Sequence, residues 1–287
     1  MKLTRHGPRG LLAIALALLL TTTVAPPQVL ANHLEAKMYG VTLWNGGCSG
    51  STRSSWDYMA DAWYDEMGDS SWYFKKFSLT NGDIINSKYA DATKVAWGAD
   101  SGFLDDADAA ILFWHGAESG DIYRGSMRVD EAGSGDCKIN QSEMDLGDTD
   151  LEFLALSSCQ SMDDNQWKEW WKSFKGLHQL DGFHGLMWIS SGRSSDYRNF
   201  AEDAFDDNIA DAWLDNLYDT NIGDDNVDQC PVAYGVGNGS TDLWNRMDNE
   251  RYDNIFSDPT THTRWGATYI IGCDPAAETV VDSDRSM

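Results

Sequence analysis

A histidine and a cysteine each follow a short apolar run in this chain. The run AILFW (110–114) leads into His115 and Gly116, and the run LEFLALSS (151–158) leads into Cys159. A thiol beside an imidazole can attack an acyl carbon, because the imidazole takes the thiol proton and returns it to the leaving group. These residues therefore indicate acyl-transfer chemistry, with Cys159 as the nucleophile and His115 as its base.

The same chemistry requires hydrogen-bond donors for the negative oxygen of the tetrahedral intermediate. Gly116 has no side chain, so its backbone can approach a substrate closely, and its N–H is a candidate donor beside the N–H of Cys159. We expect the strand before Cys159 to turn into a helix, whose first N–H groups would lower the pKa of the thiol. Asp163 and Asp164 in that first turn would oppose this effect.

Both apolar runs have the length and unbroken hydrophobicity of central parallel strands that are covered on both faces. Neighbouring parallel strands release the residues that follow them at one edge of a sheet, so we expect His115 and Cys159 to meet there. His184 and Gly185 form a competing pair within the expected fifth strand, FHGLMWIS (183–190). Because this pair opens that strand, we expect His184 at the opposite edge and prefer His115 as the base.

Strand-like and helix-like segments alternate along the rest of the chain. The other predicted strands are YGVTLW (39–44), WYFKKFSL (72–79), VAYGVG (232–237) and ATYIIG (267–272); the predicted helices start near Ser54 or Ser55, follow Cys159, run from Tyr197 to Tyr218 and cover Trp244 to Tyr252. Residues 117–150 are expected to be an insertion with one hairpin, formed by IYRG (122–125) and MRV (127–129). This alternation predicts an α/β fold with a mostly parallel central sheet and helices on both faces.

The two ends of the chain differ from this pattern. Residues 1–31 predict a signal peptide, because a basic start precedes an apolar core and small residues that suit cleavage before Asn32. Residues 274–287 are acidic, lack apolar periodicity and are expected to be disordered. The residues between them, 32–273, form one predicted domain of a secreted protein, with no membrane segment once the signal peptide is cleaved.

Five cysteines in an exported chain leave one thiol free if the others pair. We expect Cys159 to be the free one. Cys230 opens one predicted strand and Cys273 closes another, so antiparallel pairing of these strands would bring their sulfurs together. Cys48 and Cys137 lie in loops expected near the active-site edge, where a second disulfide is predicted.

The charge of the chain limits its partners. Its 46 acidic and 21 basic residues give a formal net charge of −25, which disfavours nucleic acids and anionic membrane surfaces. We expect a protein or peptide substrate, and the sequence leaves the oligomeric state open. No cofactor is predicted: Asp224, Asn226 and Asp228 alternate like the start of a calcium loop, but the glycine and the closing glutamate of such a loop are absent.

The segments ILFWHG (111–116) and LALSSC (154–159) resemble the caspase–hemoglobinase-like class of cysteine peptidases, and the resemblance extends over roughly residues 39–192. It implies a three-layer sandwich and a secreted cysteine endopeptidase, with His115 as the catalytic histidine, Cys159 as the nucleophile and Gly116 as an oxyanion contributor. The chain departs from the class in having Ser158 where alanine is frequent, and no glycine soon after the cysteine. A longer pattern, LGDTDLEFLALSSCQ, is also similar to an uncharacterised group of secreted microbial proteins.

The resemblance also implies that the loop after the fifth strand, here SSGRSS (190–195), helps to form a substrate pocket. Arg193, with Ser191 beside it, could there bind an acidic substrate side chain. Arg53 and Arg124 are alternatives for this role. Acidic residues of the 117–150 insertion could instead select a basic side chain, so the substrate preference stays open.

Two other functions fit parts of the sequence. A catalytically inactive member of the same fold would act as an extracellular binding protein. The 13 tryptophans suggest a sugar-binding module, in which exposed indoles stack on carbohydrate. Most of them lie at the spacing of core residues, but the pattern does not place Trp44, Trp97 and Trp188. Three or more exposed, coplanar indoles would favour this function.

Overall fold

The structure of the chain is a computed structural model that describes residues 34–44, 48, 50–126, 137–222 and 227–275. The predicted signal peptide lies outside these residues, as does the predicted acidic tail beyond residue 275. The strands are β1 (Leu34–Gly40), β2 (Tyr73–Thr80), β3 (Ala109–Phe113), β4 (Gly116–Ser119), β5 (Ile122–Ser126), β6 (Lys138–Asn140), β7 (Phe153–Ser157), β8 (Gln179–His184), β9 (Asp219–Ile222), β10 (Val227–Gly237) and β11 (Arg264–Tyr269). The helices are α1 (Ser55–Asp69), α2 (Trp167–Ser173), α3 (Ser194–Asp206), α4 (Ile209–Leu217) and α5 (Ser240–Asn249).

The larger of two sheets has the strand order β11-β10-β8-β7-β3-β1-β2, and β9 pairs with β10 outside this path. β2, β1, β3, β7 and β8 run parallel, whereas β10 is antiparallel to both β8 and β11. β4, β5 and β6 form a small antiparallel sheet. The prediction of a mixed α/β fold with a mainly parallel central sheet is confirmed.

The two apolar runs became the central strands β3 and β7, and every residue of both strands is buried. Consecutive residues at the end of β3 face opposite ways, as strand geometry requires. Phe113 contacts Tyr197 of α3, with 5.1 Å between ring centroids, whereas the indole of Trp114 donates a hydrogen bond to Tyr123. Trp170 of α2 packs against Tyr123, so α2 and α3 cover opposite faces of the sheet.

The strand that the sequence placed at 183–190 instead spans Gln179–His184. Gly185, with a φ of 73°, turns the chain out of the sheet, although apolar residues continue beyond it. Because β8 runs parallel to β7, His184 closes β8 at the same sheet edge at which Cys159 follows β7. The expectation that His184 lies at the opposite edge is therefore wrong.

The helix predicted from Tyr197 to Tyr218 is two helices, α3 and α4. Asp207 has an extended backbone that ends α3. The side chain of Asn208 then accepts a hydrogen bond from the backbone N–H of Asp211 at 2.8 Å, which caps the start of α4. The apolar spacing continues across this break, so hydrophobicity alone does not reveal it.

The hairpin of the 117–150 insertion also differs from the prediction. β5, which contains IYRG, pairs with β4 on one side and with β6 on the other. The MRV segment, residues 127–129, lies outside the described residues. The small sheet therefore starts directly at Gly116, next to the candidate catalytic histidine.

Both predicted disulfides are present, Cys48–Cys137 and Cys230–Cys273. The second one follows from the antiparallel pairing of β10 with β11, as expected. Cys159 is the free cysteine. Two disulfides are consistent with an exported protein. In the part of the chain that the structure describes, no helix is long and apolar enough to cross a membrane.

Several carboxyl groups are buried in the folded chain. Burial raises the pKa of Glu152, just before β7, to about 9 and the pKa of Asp108, just before β3, to about 6. Burial likewise raises the pKa of Asp105 to about 8 and the pKa of Asp100 to about 7. The folded chain therefore keeps these groups protonated at pH values at which the unfolded chain ionises them.

We expect the free energy of unfolding to fall as the pH rises from about 5 to about 9. In this range the carboxyl groups are ionised in the unfolded chain but still protonated in the folded chain, so unfolding releases protons. Glu152→Gln cannot ionise and should flatten this dependence by several kcal/mol, at about 1.4 kcal/mol for each pH unit over which only the unfolded chain is ionised. Urea denaturation at each pH measures the effect. Glu202→Gln, at an exposed glutamate of α3, is the matched control. Equal slopes in both variants would contradict the role of Glu152.

Candidate active site

The carboxyl ends of β3 and β7 lie side by side at one edge of the sheet. The last paired residues of these parallel strands are Phe113 and Ser157. His115 and Cys159 each follow two residues later. A Cβ atom added to Gly116 would collide with the carbonyl oxygen of Cys159, so the two segments touch through their backbones. The backbones that carry the predicted base and nucleophile are therefore neighbours at this edge.

Cys159 lies in a sharp turn after β7. Gln160 has a φ of 52°, in the left-handed region that glycine otherwise favours. Its N–H donates to the carbonyl oxygen of Gly185 at 2.6 Å, and the Ser161 hydroxyl donates to that of Ser158 at 2.9 Å. Gln160 thus adopts the left-handed conformation itself, so the chain makes this turn without a glycine soon after the cysteine.

The expected helix start after Cys159 is absent, because α2 begins only at Trp167. Burial raises the pKa of the Cys159 thiol; the Met187 backbone and Arg53 lower this pKa without offsetting burial, and Asp163 raises it. The thiol lies 3.8 Å from the carbonyl oxygen of Met187. The resting Cys159 is therefore a neutral thiol.

The imidazole of His115 is enclosed by two indoles and held by one backbone carbonyl group. The ring centroids of Trp44 and Trp56 lie 4.5 and 5.1 Å from that of His115. Nε2 of His115 lies 2.8 Å from the carbonyl oxygen of Ser51. Because a carbonyl oxygen only accepts hydrogen bonds, Nε2 carries the ring proton and Nδ1 keeps a free lone pair.

The protonation state of His115 suits a base. Burial lowers the pKa of His115, the hydrogen bond to Ser51 opposes this shift, and Arg53 lowers the pKa further. The ring is therefore neutral near pH 7. Together with the neutral thiol of Cys159, this gives a resting pair in which neither group is charged and Nδ1 is able to accept a proton.

The loop between β1 and α1 supplies the Ser51 carbonyl group and is fixed at several points. Asn81, directly after β2, accepts hydrogen bonds through its side-chain oxygen from the N–H groups of Thr42 at 3.1 Å and Leu43 at 2.7 Å. The disulfide of Cys48 ties the same loop to the segment before β6. Sequence reasoning missed Ser51 and Asn81, because a backbone acceptor and a single supporting amide form no motif.

Arg53 is the charged residue of this loop that acts on both members of the pair, since it lowers the pKa of His115 and the pKa of Cys159. Its backbone N–H donates to the carbonyl oxygen of Thr42 at 2.7 Å, and its guanidinium donates to that of Thr52 at 3.2 Å. A positive charge thus lies close enough to the candidate dyad to affect both ionisations.

Arg193 has a different environment. Its guanidinium forms ion pairs with Asp219 at 2.7 Å and with Asp196 at 3.2 Å, and its side chain is mostly buried. Ser191 is exposed at the start of the same turn. A substrate carboxylate would have to compete with two carboxylates of the chain for Arg193, and the substrate-binding roles of Arg193 and Ser191 stay predictions.

His184 flanks Cys159 from the other side, because β8 is the neighbour of β7 opposite to β3. Its Nδ1 lies 3.8 Å from the carboxylate of Asp164, and its Nε2 lies 3.9 Å from that of Asp163. Asp163 also accepts a hydrogen bond from the N–H of Gly185 at 2.7 Å. This edge of the sheet therefore carries a second histidine, paired with acidic residues.

The calcium pattern of Asp224, Asn226 and Asp228 lies mostly outside the described residues. Asp224 and Asn226 lie outside the described residues. Among the residues that the structure does describe, no group of three or more histidine, cysteine, aspartate or glutamate side chains could hold a metal ion.

The exposed tryptophans do not share one surface. Trp72, Trp244 and Trp265 are 47%, 43% and 42% exposed. An added Cβ on Gly266 would lie 3.2 Å from the ring of Trp244. Trp244 therefore packs on the face of β11 to which residue 266 points, whereas Trp265 points to the opposite face. Of the indoles that the sequence left unplaced, Trp44 is buried, and Trp97 and Trp188 are partly buried.

Comparison with protein families gives one match. The family model described as "Domain of unknown function (DUF6345)" matches residues 48–270, which include the loop of Ser51, His115, Cys159 and His184. The match covers most of the chain, so the chain belongs to this family. No curated protein matches the sequence.

Proposed function

We propose that this member of the DUF6345 family is a secreted cysteine endopeptidase in which Cys159 and His115 form the catalytic dyad. The observation that carries the proposal is the contact between the ends of β3 and β7, where the backbone of Gly116 abuts the carbonyl group of Cys159. The free state of Cys159 supports it, since the other four cysteines are paired.

The arrangement of the helices and strands is also compatible with this class of peptidase. Helices cover both faces of the mainly parallel sheet, and the candidate dyad follows two adjacent central strands. These features support the resemblance to the caspase–hemoglobinase-like class and its three-layer sandwich. We therefore include that architecture in the proposal.

The proposed reaction starts from the neutral pair. Sγ of Cys159 attacks the carbonyl carbon of a peptide bond while Nδ1 of His115 takes the thiol proton. The N–H groups of Gly116 and Cys159 stabilise the resulting oxyanion. His115 then donates its proton to the leaving amine as the C–N bond breaks, which leaves a thioester. Water, deprotonated by His115, hydrolyses the thioester and restores the thiol.

Each supporting group has a defined part in this scheme. The Ser51 carbonyl group fixes the tautomer of His115 and stabilises the imidazolium that forms when the thiol ionises. Trp44 and Trp56 keep the ring in one orientation and exclude water from it. A base that is pre-oriented in this way loses little entropy on reaching the transition state.

Arg53 supports a preference for a substrate carboxylate near the scissile bond. Its effect on both pKa values of the dyad indicates that its charge lies close to the reacting atoms. Arg193 is the alternative, but Asp196 and Asp219 already occupy its guanidinium. The opposite preference, for a basic substrate, would depend on the acidic residues of the 117–150 insertion.

A broad pH–rate plateau is the expected signature of a neutral dyad. Protonation of His115 should reduce kcat/KM only below the ordinary imidazole value of about 6.5, because its pKa is lowered. Ionisation of Cys159 should reduce kcat/KM only above the ordinary thiol value of about 9, because its pKa is raised. Initial rates from pH 4 to 10 on one peptide measure both limbs. A narrow optimum within one unit of pH 7 would contradict these shifts.

A peptide-library digest tests the proposed activity directly. We expect the wild type to cleave peptides and Cys159→Ala to cleave none, because the nucleophile is gone. His115→Ala should lose roughly 10²- to 10⁴-fold in kcat/KM, the usual contribution of a general base. His184→Ala is the matched histidine control and should stay within a few-fold of the wild type.

Arg53→Ala should lose any preference for acidic residues, whereas Arg193→Ala should keep it.

Three results of this digest would change the proposal. Cleavage that persists unchanged in Cys159→Ala would end it. Loss of activity in His184→Ala with retention in His115→Ala would assign the base to His184. Loss of acidic preference only in Arg193→Ala would restore Arg193 as the substrate-binding residue.

The buried, neutral thiol is the observation that favours the alternative function, an inactive relative of these peptidases that acts as an extracellular binding protein. This alternative requires that no peptide is cleaved and that Cys159 resists alkylation in the native protein. Glycan binding that survives in Cys159→Ala would identify the sugar-binding version of it.

A further inference from the structure

One phenol hydroxyl group contacts the residue before each member of the candidate dyad. Tyr123 accepts a hydrogen bond from the indole N–H of Trp114, which precedes His115. The same hydroxyl lies 2.7 Å from Oγ of Ser158, which precedes Cys159. The side chains of Tyr123, Trp114 and Ser158 are fully buried.

The indole N–H of Trp114 can only donate, so the phenol oxygen accepts from it. Of the hydroxyl groups of Tyr123 and Ser158, one donates to the other. Burial raises the pKa of Tyr123, so the phenol keeps its proton. The bridge from Trp114 to Ser158 therefore does not titrate in the range in which a peptidase works.

This bridge lies where the segments of His115 and Cys159 approach each other closely. A Cβ added to Gly116 would collide with the carbonyl oxygen of Cys159 and with Oγ of Ser158, and it would lie 3.0 Å from the ring of Tyr123. The segment of His115 is thus confined between the turn of Cys159 and the phenol ring. A change in the bridge would alter the separation of the two segments directly.

Tyr123 itself is held from several sides. Its backbone N–H donates to the side chain of Gln141, and its ring packs against Trp170 at 5.6 Å between centroids. The indole N–H of Trp170 donates at 2.8 Å to the carbonyl oxygen of Ser161, which belongs to the turn after Cys159. Gln141 and Trp170 therefore fix the phenol relative to the turn of the nucleophile.

We infer that Tyr123 is a positioning residue, which sets the separation of His115 from Cys159 through Trp114 and Ser158. This inference rests on the proposed dyad, and it gives the insertion between β3 and β7 a function. It also accounts for Ser158, which stands where alanine is frequent in the resembled class, because a hydroxyl group can bond to the phenol and a methyl group cannot.

The chain offers a matched control in a second tyrosine–serine pair on the same strand. The hydroxyl of Tyr197 bonds to Oγ of Ser157 on the opposite face of β7, and both side chains are fully buried. Tyr197→Phe removes the buried bond between a phenol and a serine hydroxyl, without touching the residues that precede His115 and Cys159. Tyr123→Phe removes the equivalent bond to Ser158 and also the acceptor of the Trp114 indole N–H, so Ser158→Ala is the variant that Tyr197→Phe matches bond for bond.

The test measures alkylation of Cys159 and peptide cleavage in the same proteins, kept non-reduced so that the two disulfides stay closed and Cys159 is the free thiol. The variants are His115→Ala, Tyr123→Phe, Ser158→Ala and Tyr197→Phe. The first readout is the rate of iodoacetamide alkylation as a function of pH, with the modified residue identified by mass spectrometry. The second is kcat and KM on a peptide that the wild type cleaves.

We expect Tyr123→Phe and Ser158→Ala to move the alkylation profile from that of the wild type toward that of His115→Ala. Both should lower kcat by about 10- to 100-fold, since a misplacement of about 1 Å has effects of this size, and should leave KM within about 2-fold. The double variant Tyr123→Phe/Ser158→Ala should lose no more than Tyr123→Phe alone, because Tyr123→Phe already lacks the bond to Ser158. Tyr197→Phe should keep the wild-type profile and kcat, although its loss of thermal stability should be similar to that of Ser158→Ala.

The outcomes separate this inference from the proposed function. If no peptide is cleaved but His115 still governs alkylation and Tyr123→Phe removes that influence, positioning stands and the peptidase proposal fails. If peptides are cleaved and Tyr123→Phe matches Tyr197→Phe in profile and kcat, positioning is refuted alone. Identical alkylation of wild type and His115→Ala would overturn both. Should Tyr123→Phe fail to fold, Ser158→Ala breaks the same bond from its other end and decides the matter.

Discussion

The parallel pairing of β3 with β7 is the constraint on which the candidate site depends. The two strands are in register over their whole length, from Ala109 beside Phe153 to Phe113 beside Ser157. Both strands are buried on both faces, and a shift by one residue would turn each side chain to the other face, so side-chain packing favours this register. The segments that follow must therefore leave the sheet together, and the backbone of Gly116 comes to rest against Cys159.

Burial also determines the electrostatics of the pair. It raises the pKa of the Cys159 thiol and lowers the pKa of the His115 imidazole, so each group is driven toward its neutral form. Such a pair differs from a preformed thiolate–imidazolium, since proton transfer would accompany attack on the substrate. The Ser51 carbonyl group holds the ring proton on Nε2, which leaves Nδ1 to accept the thiol proton. The disulfide of Cys48 ties the loop that contains Ser51 to the rest of the molecule.

Features that depend on hydrophobicity were accessible from the sequence. The unbroken apolar runs predicted β3 and β7, because central parallel strands are covered on both faces. The odd number of cysteines predicted a free thiol, and the expected positions of strands and loops predicted both disulfides. These predictions succeeded because buried strands require apolar residues and disulfides require cysteines, and both residue types are visible in the sequence.

Features that depend on single backbone conformations were not accessible. Gly185 ends β8 inside an apolar run, so the sequence placed the strand too late and His184 at the wrong edge. The carbonyl group of Ser51 carries no side-chain signal at all. The bridge through Tyr123 joins residues from three separate segments of the chain, and only the folded structure places them next to one another.

The central claim, that His115 is a neutral base directed at the thiol, is tested most directly by ¹⁵N NMR of its ring. Near pH 7, we expect a protonated Nε2 and an unprotonated Nδ1 whose resonance shifts when Cys159 is replaced by alanine. A proton on Nδ1, or a ring whose signals do not respond to that replacement, would contradict it.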